Sequence, residues 1–217
     1  MAAFDHVIAN DEELRELYKH PPEGLLKKKV GRIDEKTAQY IAASPFVLLA
    51  TSDADGRCDV SPRGGPPGFV KVLDEHRVVV PDLSGNNILD SLTNILANPH
   101  AGMLFVHPGH DDTLRLEGEA HLTADPAILA LWDDELRRPK VAIGIEVTTT
   151  YVHCAKAFRR GEVWHPGSWD RIASPDTCEL VVGHLELDFD PQLVRDDLER
   201  GYVAALAEER DTSDNRV

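Results

Sequence analysis

The sequence predicts a mainly β protein with flanking helices, built on a closed or split antiparallel barrel of six or seven strands. Short β-branched and aromatic runs recur between residues 45 and 153, punctuated by Gly, Pro, Asn and Asp turns. A single helical stretch interrupts them in the middle, whereas a doubly wound sheet needs strands and helices in alternation. The remaining helical patterns lie at the two ends of the chain.

Asn10 precedes DEELRELY, a helix with its acids in the first turn and a capping residue ahead of them. His20-Pro21-Pro22 stops it. Lys27, Lys28 and Lys29 read as a solvated or partner-facing basic loop. Asp34 caps a second helix, EKTAQYIAAS, which ends before Pro45, so residues 1–44 read as a helical arm. FVLLATSD is the first strand, DADG a hairpin turn and RCDVSP the return. GFVKVLD and RVVVPD form the next pair. A Ser84-Gly85-Asn86-Asn87 turn then opens an amphipathic helix of about ten residues, ending at Asn98-Pro99. HAGMLFV and TLRLEGEAHLT flank a polar loop, and VAIGIEVTTTYVH is the last long strand. Residues 45–166 thus form the core of a single domain, and 167–217 an extension. In that extension SPDTCELVVGHLELDFD reads as a strand or an irregular arm. Asp190 caps a helix with Pro191 at its first position and Leu193, Leu198, Val203 and Leu206 near one stripe. DTSDNRV reads as a disordered tail.

Hydrophobic residues make up 42% and charged residues 28%, as in ordinary globular proteins. A net charge of −15 argues against nucleic acid, whose phosphates this surface would repel. The longest apolar run, residues 45–50, is strand-sized, so no membrane span is expected. The first residues carry acid where a signal peptide needs positive charge, which predicts a cytoplasmic protein. Cys58, Cys154 and Cys178 are widely spaced with no CxxC, so neither a zinc knuckle nor a disulfide framework is indicated.

Four clusters carry possible chemistry. DVSPRGGPPGF reads as a rigid, non-strand turn displaying Ser61 and Arg63. A guanidinium so presented suits a phosphate or carboxylate, or else a salt bridge at the barrel end. The turn containing Asp82, Ser84, Asn86 and Asn87 would present backbone N–H groups and a helix dipole to an anion, with Gly85 allowing an unusual φ. The same residues also suit an ordinary cap. Arg115 shares one face of its strand with Thr113 and Glu117, opposite Leu114 and Leu116, and pairs either with a ligand or with Glu117 or Glu119. HCAKAFRRGEVWHP gathers Lys156, Arg159 and Arg160 beside Trp164, which can lie against a flat ring. His153, Cys154 and His165 lack metal-ligand spacing, and His107, His110, Asp111 and Asp112 read as an exposed turn. Neither a nucleophile elbow nor a GxGxxG fingerprint occurs.

Together and in this order, "DVSPRG", "PDxxGN…DSLxNIL", "PG…TLRLxG" and "HCAKA…W.P" resemble the FMN-binding split-barrel proteins of the pyridoxamine 5'-phosphate oxidase type. The helical N-terminus and "ERGYVAAL" extend the likeness over most of the chain. The resemblance implies a homodimeric split barrel that holds FMN in a cleft between subunits. It implies that Ser61 and Arg63 contact the flavin or its phosphate, and that Asp82, Ser84, Asn86 and Asn87 line the phosphate and ribityl end. Arg115, Lys156 and Trp164 would close the site, some from the second subunit. Alanine at Arg63 or Arg115 is expected to weaken FMN binding and leave the apoprotein's melting temperature nearly unchanged. Hydride would pass between a small organic substrate and the flavin, the protein supplying position and electrostatics. Three positions depart from the pattern: Asn87-Ile88 where a cation follows "GN", Gly65 where an acid follows "SPRG", and Arg160-Gly161 where a serine follows the arginine. A missing cation costs about 1–3 kcal/mol of charge-assisted bonding, which implies weakly held FMN. The other readings are a non-catalytic flavin or haem binder, with His153 or His165 as axial ligand, and a cofactor-free interaction module.

Overall fold

The computed structural model describes residues 4–169, 174–186 and 190–216. Seven strands form one antiparallel sheet: β1 (Phe46–Ser52), β2 (Cys58–Gly64), β3 (Lys71–Asp74), β4 (Arg77–Pro81), β5 (His100–Val106), β6 (Thr113–Thr123) and β7 (Ala142–His153). Their order is β2-β1-β5-β6-β7-β4-β3. Alternation in sequence becomes alternation of faces. Val47 and Leu49 of β1, Met103 and Phe105 of β5, and Leu114 and Leu116 of β6 all point into one core. Val78 and Val80 of β4 join them, while Val79 faces the other way into a second cluster with Leu129, Trp132, Leu136 and Ala142. That double burial is why RVVVP reads as a continuous apolar run.

β6 and β7 are the spine, paired from Thr113↔His153 to Thr123↔Ala142 with a register shift at Glu117/Gly118. Gly118 is required there: a Cβ would lie 2.1 Å from the Glu146 carbonyl oxygen. The shift changes which residues of β7 face the core, Ile145 and Val147 on one side of it and Thr150 on the other. Tyr151 is thereby turned outward, beside its direct partner Arg115.

Three helices precede the sheet: α1 (Asp11–Leu17), α2 (Glu23–Leu26) and α3 (Glu35–Ala43). The Asn10 and Asp34 caps are formed, with side chains accepting from Glu13 N–H at 2.9 Å and Thr37 N–H at 2.8 Å. The Thr37 amide bond holds the Asp34 carboxyl below the usual carboxylate range. α1 buries nothing, whereas Ile33 and Ile41 lie in the main core. The inserted helix α4 (Asp90–Ala97) lies between β4 and β5 and buries Leu92 and Ile95. Polar bonds tie it to the first hairpin: Ser91 Oγ to Asp59 at 2.9 Å, Asn94 Nδ2 to Thr51 Oγ1 at 3.1 Å, and Asn98 Nδ2 to Ser52 Oγ at 2.8 Å.

After β6 come α5 (Pro126–Leu129) and a 3-10 turn (Ala130–Trp132); after β7 come α6 (Lys156–Arg160), α7 (Pro166–Trp169), α8 (Thr177–His184) and α9 (Pro191–Glu209). The extension departs from the sequence reading twice. Residues 177–184 are helical rather than extended, because Asp176 and Glu179 close a reciprocal capping box; residues 187–189 of that stretch lie outside the described residues. Residues 211–216 of the tail are structured, ending in a 3-10 turn at Ser213–Arg216, and residue 217 lies outside the described residues. Asn215 is buried and bonds the Leu136 carbonyl at 2.7 Å and the Arg138 N–H at 2.7 Å. The capped helix after Asp190 forms as expected. Among the described residues no helix is long and apolar enough to cross a membrane.

Candidate functional site

Ser61 and Arg63 stand on a strand, not on a turn: β2 continues through Pro62 to Gly64. Pro62 is tolerated because β2 is an edge strand, so its missing N–H interrupts no inner ladder. Asp59, Ser61 and Arg63 are half-buried on one face, and Cys58, Val60 and Pro62 are exposed on the other. Arg63 Nη1 donates to Asp82 Oδ1 at 2.7 Å, with the two side chains 18% and 22% exposed. Since β2 begins the sheet order and Asp82 follows β4 near its far end, this pair spans the opening of the barrel. Arg63 Nε is buried and has no hydrogen-bond partner among the described residues. An unpaired buried donor costs about 1–3 kcal/mol, so this atom marks where an acceptor belongs.

Two residues beyond Asp82, Ser84 offers both its N–H and its hydroxyl to one oxygen of Glu209, at 3.1 Å and 2.5 Å. Both donors of Ser84 are thus engaged by a carboxylate of the same chain. The geometry of this turn differs from the expectation. Gly85 has no positive φ; the left-handed residues are Asn87 (φ 58) and Leu89 (φ 64). Asn86 Oδ1 accepts from Ile88 N–H at 3.0 Å, a local side-chain turn. The helix begins only at Asp90, with Leu89 as an uncharged cap and an acid already in its first turn, so its dipole is not aimed from the Ser84 turn.

Arg115 lies elsewhere. It projects from the outer face of β6, pairs with Glu117 at 3.1 Å, and sits 5.3 Å from the centre of the Tyr151 ring. Lys28 and Lys29 stand 5.4 Å and 5.0 Å from the same ring, because Val30 pairs with Thr150 beside β7. The lysine loop is thus docked on the sheet, over a separation that no local sequence signal reports. Trp164 Nε1 donates to the His110 carbonyl at 2.8 Å, and its ring stacks on Phe158 at 5.7 Å. It lines an open cavity of about 500 Å³ with Asp111, Phe158 and Arg159, while Lys156 is exposed at the start of α6. Within one chain, then, Arg63 and Asp82 come together, Ser61 shares the inward face of β2 with Arg63, and Ser84, Asn86 and Asn87 follow Asp82 along the turn, where Ser84 is bound to Glu209. Arg115 is on the opposite side of the sheet wall, and Lys156 and Trp164 lie past the end of β7. Among the described residues no three His, Cys, Asp or Glu side chains are grouped to hold a metal ion.

Gly65 has a physical cause. A Cβ there would lie 2.7 Å from Phe69 Cβ and 2.8 Å from its Cγ, so no acid fits beside Arg63. Phe69 is itself fixed, its carbonyl accepting from buried Trp132 Nε1 at 2.7 Å. Gly65→Ala is expected to lower stability by about 1–3 kcal/mol through overpacking, read as an earlier thermal midpoint.

Residues 33–154, which include all seven strands, match the family described as pyridoxamine 5'-phosphate oxidase. That is more than half of the chain. The chain belongs to the pyridoxamine 5'-phosphate oxidase family. Among solved structures it is similar to HupZ from Group A Streptococcus, at 18% identity over 55% of this chain and 93% of that one, TM-score 0.46. A putative pyridoxamine 5'-phosphate oxidase from Lactobacillus delbrueckii aligns at 19% identity over 57% of this chain and 98% of that one, TM-score 0.45. A related FMN-binding protein from Nostoc punctiforme aligns at 14% identity over 52% and 75%, TM-score 0.38. No curated protein matches.

Proposed function

We propose that this member of the family is an FMN-dependent oxidoreductase whose flavin phosphate is held at Arg63 and Ser84. The observation that carries the reading is the buried, unpaired Nε of Arg63, whose guanidinium pairs with Asp82; two residues further along the same turn, Ser84 binds a carboxylate through two donors. The residues fit a phosphate. Arg63, whose Nη1 is bonded to Asp82, would turn its unpaired Nε to one oxygen, Ser84 would supply a hydroxyl and an amide, and Asn86 and Asn87 would extend the polar wall. Asp82 keeps the guanidinium from swinging out of the barrel mouth. When bound, FMN supplies the hydride chemistry toward a small organic substrate. The chain's own part is to seat and orient the cofactor, and no side chain is required as a nucleophile.

The same reading makes the protein a homodimer. Outside the sheet, Leu48, Leu104, Val60 and Pro62 occupy adjoining registered positions, with Val60 60% exposed, and this apolar stretch ends at Arg115. A second copy docked on that face would bury the apolar stretch and set each copy's Arg115 at the subunit interface. Light scattering should report twice the 24.0 kDa chain mass; a monomer at micromolar concentration removes the shared site. A cytoplasmic location accords with three free cysteines, two of them exposed.

A visible spectrum of freshly purified protein, followed by FMN titration of stripped protein, tests the function. Paired flavin bands with saturable FMN binding are expected. A Soret band would turn the reading to haem, and a colourless protein that fails to bind FMN would overturn it.

A further inference from the structure

We propose that the C-terminal segment regulates this site by competition: Glu209 occupies the seat of the cofactor's phosphate, and FMN binds by displacing it. This competition rests on the reading that Arg63 and Ser84 form the phosphate end. Ser84 N–H and Oγ converge on Glu209 Oε1, a pattern by which a serine holds one phosphate oxygen, and the partner comes from 125 residues along the chain. A phosphate dianion and the Glu209 carboxylate repel each other and require the same two donors, so they exclude one another there.

The way Glu209 is held makes exchange feasible. α9 buries none of its residues and leaves Leu193, Tyr202, Val203 and Leu206 exposed, so its end is not locked by a hydrophobic core. Its attachments are polar. Arg137 N–H donates to the Glu209 carbonyl at 2.7 Å, and the Arg137 guanidinium pairs with Glu208. Asn215 then staples the following turn to residues 133–138. Docking of the helix end and binding of phosphate are therefore linked, each weakening the other by the same factor. If the seat is closed in about nine molecules of ten, the apparent dissociation constant for FMN is about ten times the intrinsic one.

The decisive measurement is FMN titration of the stripped, full-length protein by flavin fluorescence. Wild type is compared with Glu209→Ala, Glu209→Gln, Ser84→Ala, the Ser84→Ala/Glu209→Ala double variant and Glu208→Ala. Glu209→Ala should bind FMN about tenfold more tightly, and the isosteric Glu209→Gln should move the same way if truncation disturbs the fold. Ser84→Ala, which keeps the amide but loses the hydroxyl, should bind more weakly and shrink the effect of changing Glu209. Glu208→Ala, which removes one attachment of the helix end but leaves the Glu209 carboxylate, should tighten binding in the same direction by a smaller factor. Hydrogen exchange of residues 205–215 should accelerate when FMN is added to wild type. Equal affinities for wild type and both Glu209 variants would overturn the competition and leave FMN binding standing. Weaker binding by both Glu209 variants would make Glu209 a support of the turn instead, which also overturns it. Failure of every variant to bind FMN would remove the underlying function and the competition together.

Discussion

Replacing Arg63 by Ala is expected to weaken FMN binding by about 10–100-fold and to destabilise the stripped protein by about 1–3 kcal/mol. The first figure follows from the loss of charge-assisted hydrogen bonds to a phosphate, each worth about 1.5–3 kcal/mol. The second follows from the barrel-end salt bridge that the sequence offered as the alternative role of Arg63: its 2.7 Å bond to Asp82 ties the edge strand β2 to the end of β4, so the apoprotein's melting temperature is not expected to stay unchanged. Alanine leaves Asp82 22% exposed without its cation. Removing one member of a fully buried pair costs about 3–5 kcal/mol, and the partial exposure here reduces that figure. A double-mutant cycle with Asp82→Ala on stripped protein separates the two roles. The stability losses should be less than additive, while the FMN defect of Arg63→Ala should persist in the double variant. An Arg63→Ala protein that keeps wild-type FMN affinity returns the residue to a purely structural part.

Trp132→Ala is expected to produce the largest stability loss, about 3–5 kcal/mol. For a chain of this size each kcal/mol moves the melting temperature by about 2–4 °C, so the midpoint should fall by roughly 10 °C. Trp132 is fully buried in the cluster behind Val79 and Ala142, and its indole N–H satisfies the Phe69 carbonyl. Trp132→Phe should lie between, since it keeps most of the apolar contact but leaves that carbonyl unpaired, at about 1–3 kcal/mol. Because Phe69 fills the space over Gly65, just past Arg63 at the end of β2, the alanine variant should also loosen the mouth of the candidate site. Thermal denaturation of the three proteins checks the ranking. Equal losses for Phe and Ala would assign the whole effect to the hydrogen bond.

The seven strands, the inserted helix and the Asn10, Asp34 and Asp190 caps were legible in the sequence because their causes are local. Alternating faces, turn residues and capping side chains act over a few positions, and the patterns in FVLLATSD or Asp190-Pro191 carry them directly. The family was legible for a related reason: "DVSPRG", the turn after β4, "TLRLEG" and "HCAKAF" are contiguous and retain their order. Local pattern misled where tertiary contacts override it. Gly and Pro suggested a turn at Arg63, but pairing with β1 carries the strand on to Gly64. A polar, charged tail suggested disorder, but Asn215 finds three backbone partners around residues 133–138. The division of the candidate site belongs to the tertiary structure alone. Arg63 is registered with buried Val47 and faces into the barrel, whereas Arg115 is registered with Tyr151 and Leu104 and faces out of it. Strand pairing decides those faces, and the two arginines look alike in sequence. So too with the pairing of Ser84 and Glu209. A hydrogen bond between residues 125 positions apart depends on the path of the whole chain, and neither residue carries a sign of the other in its neighbours.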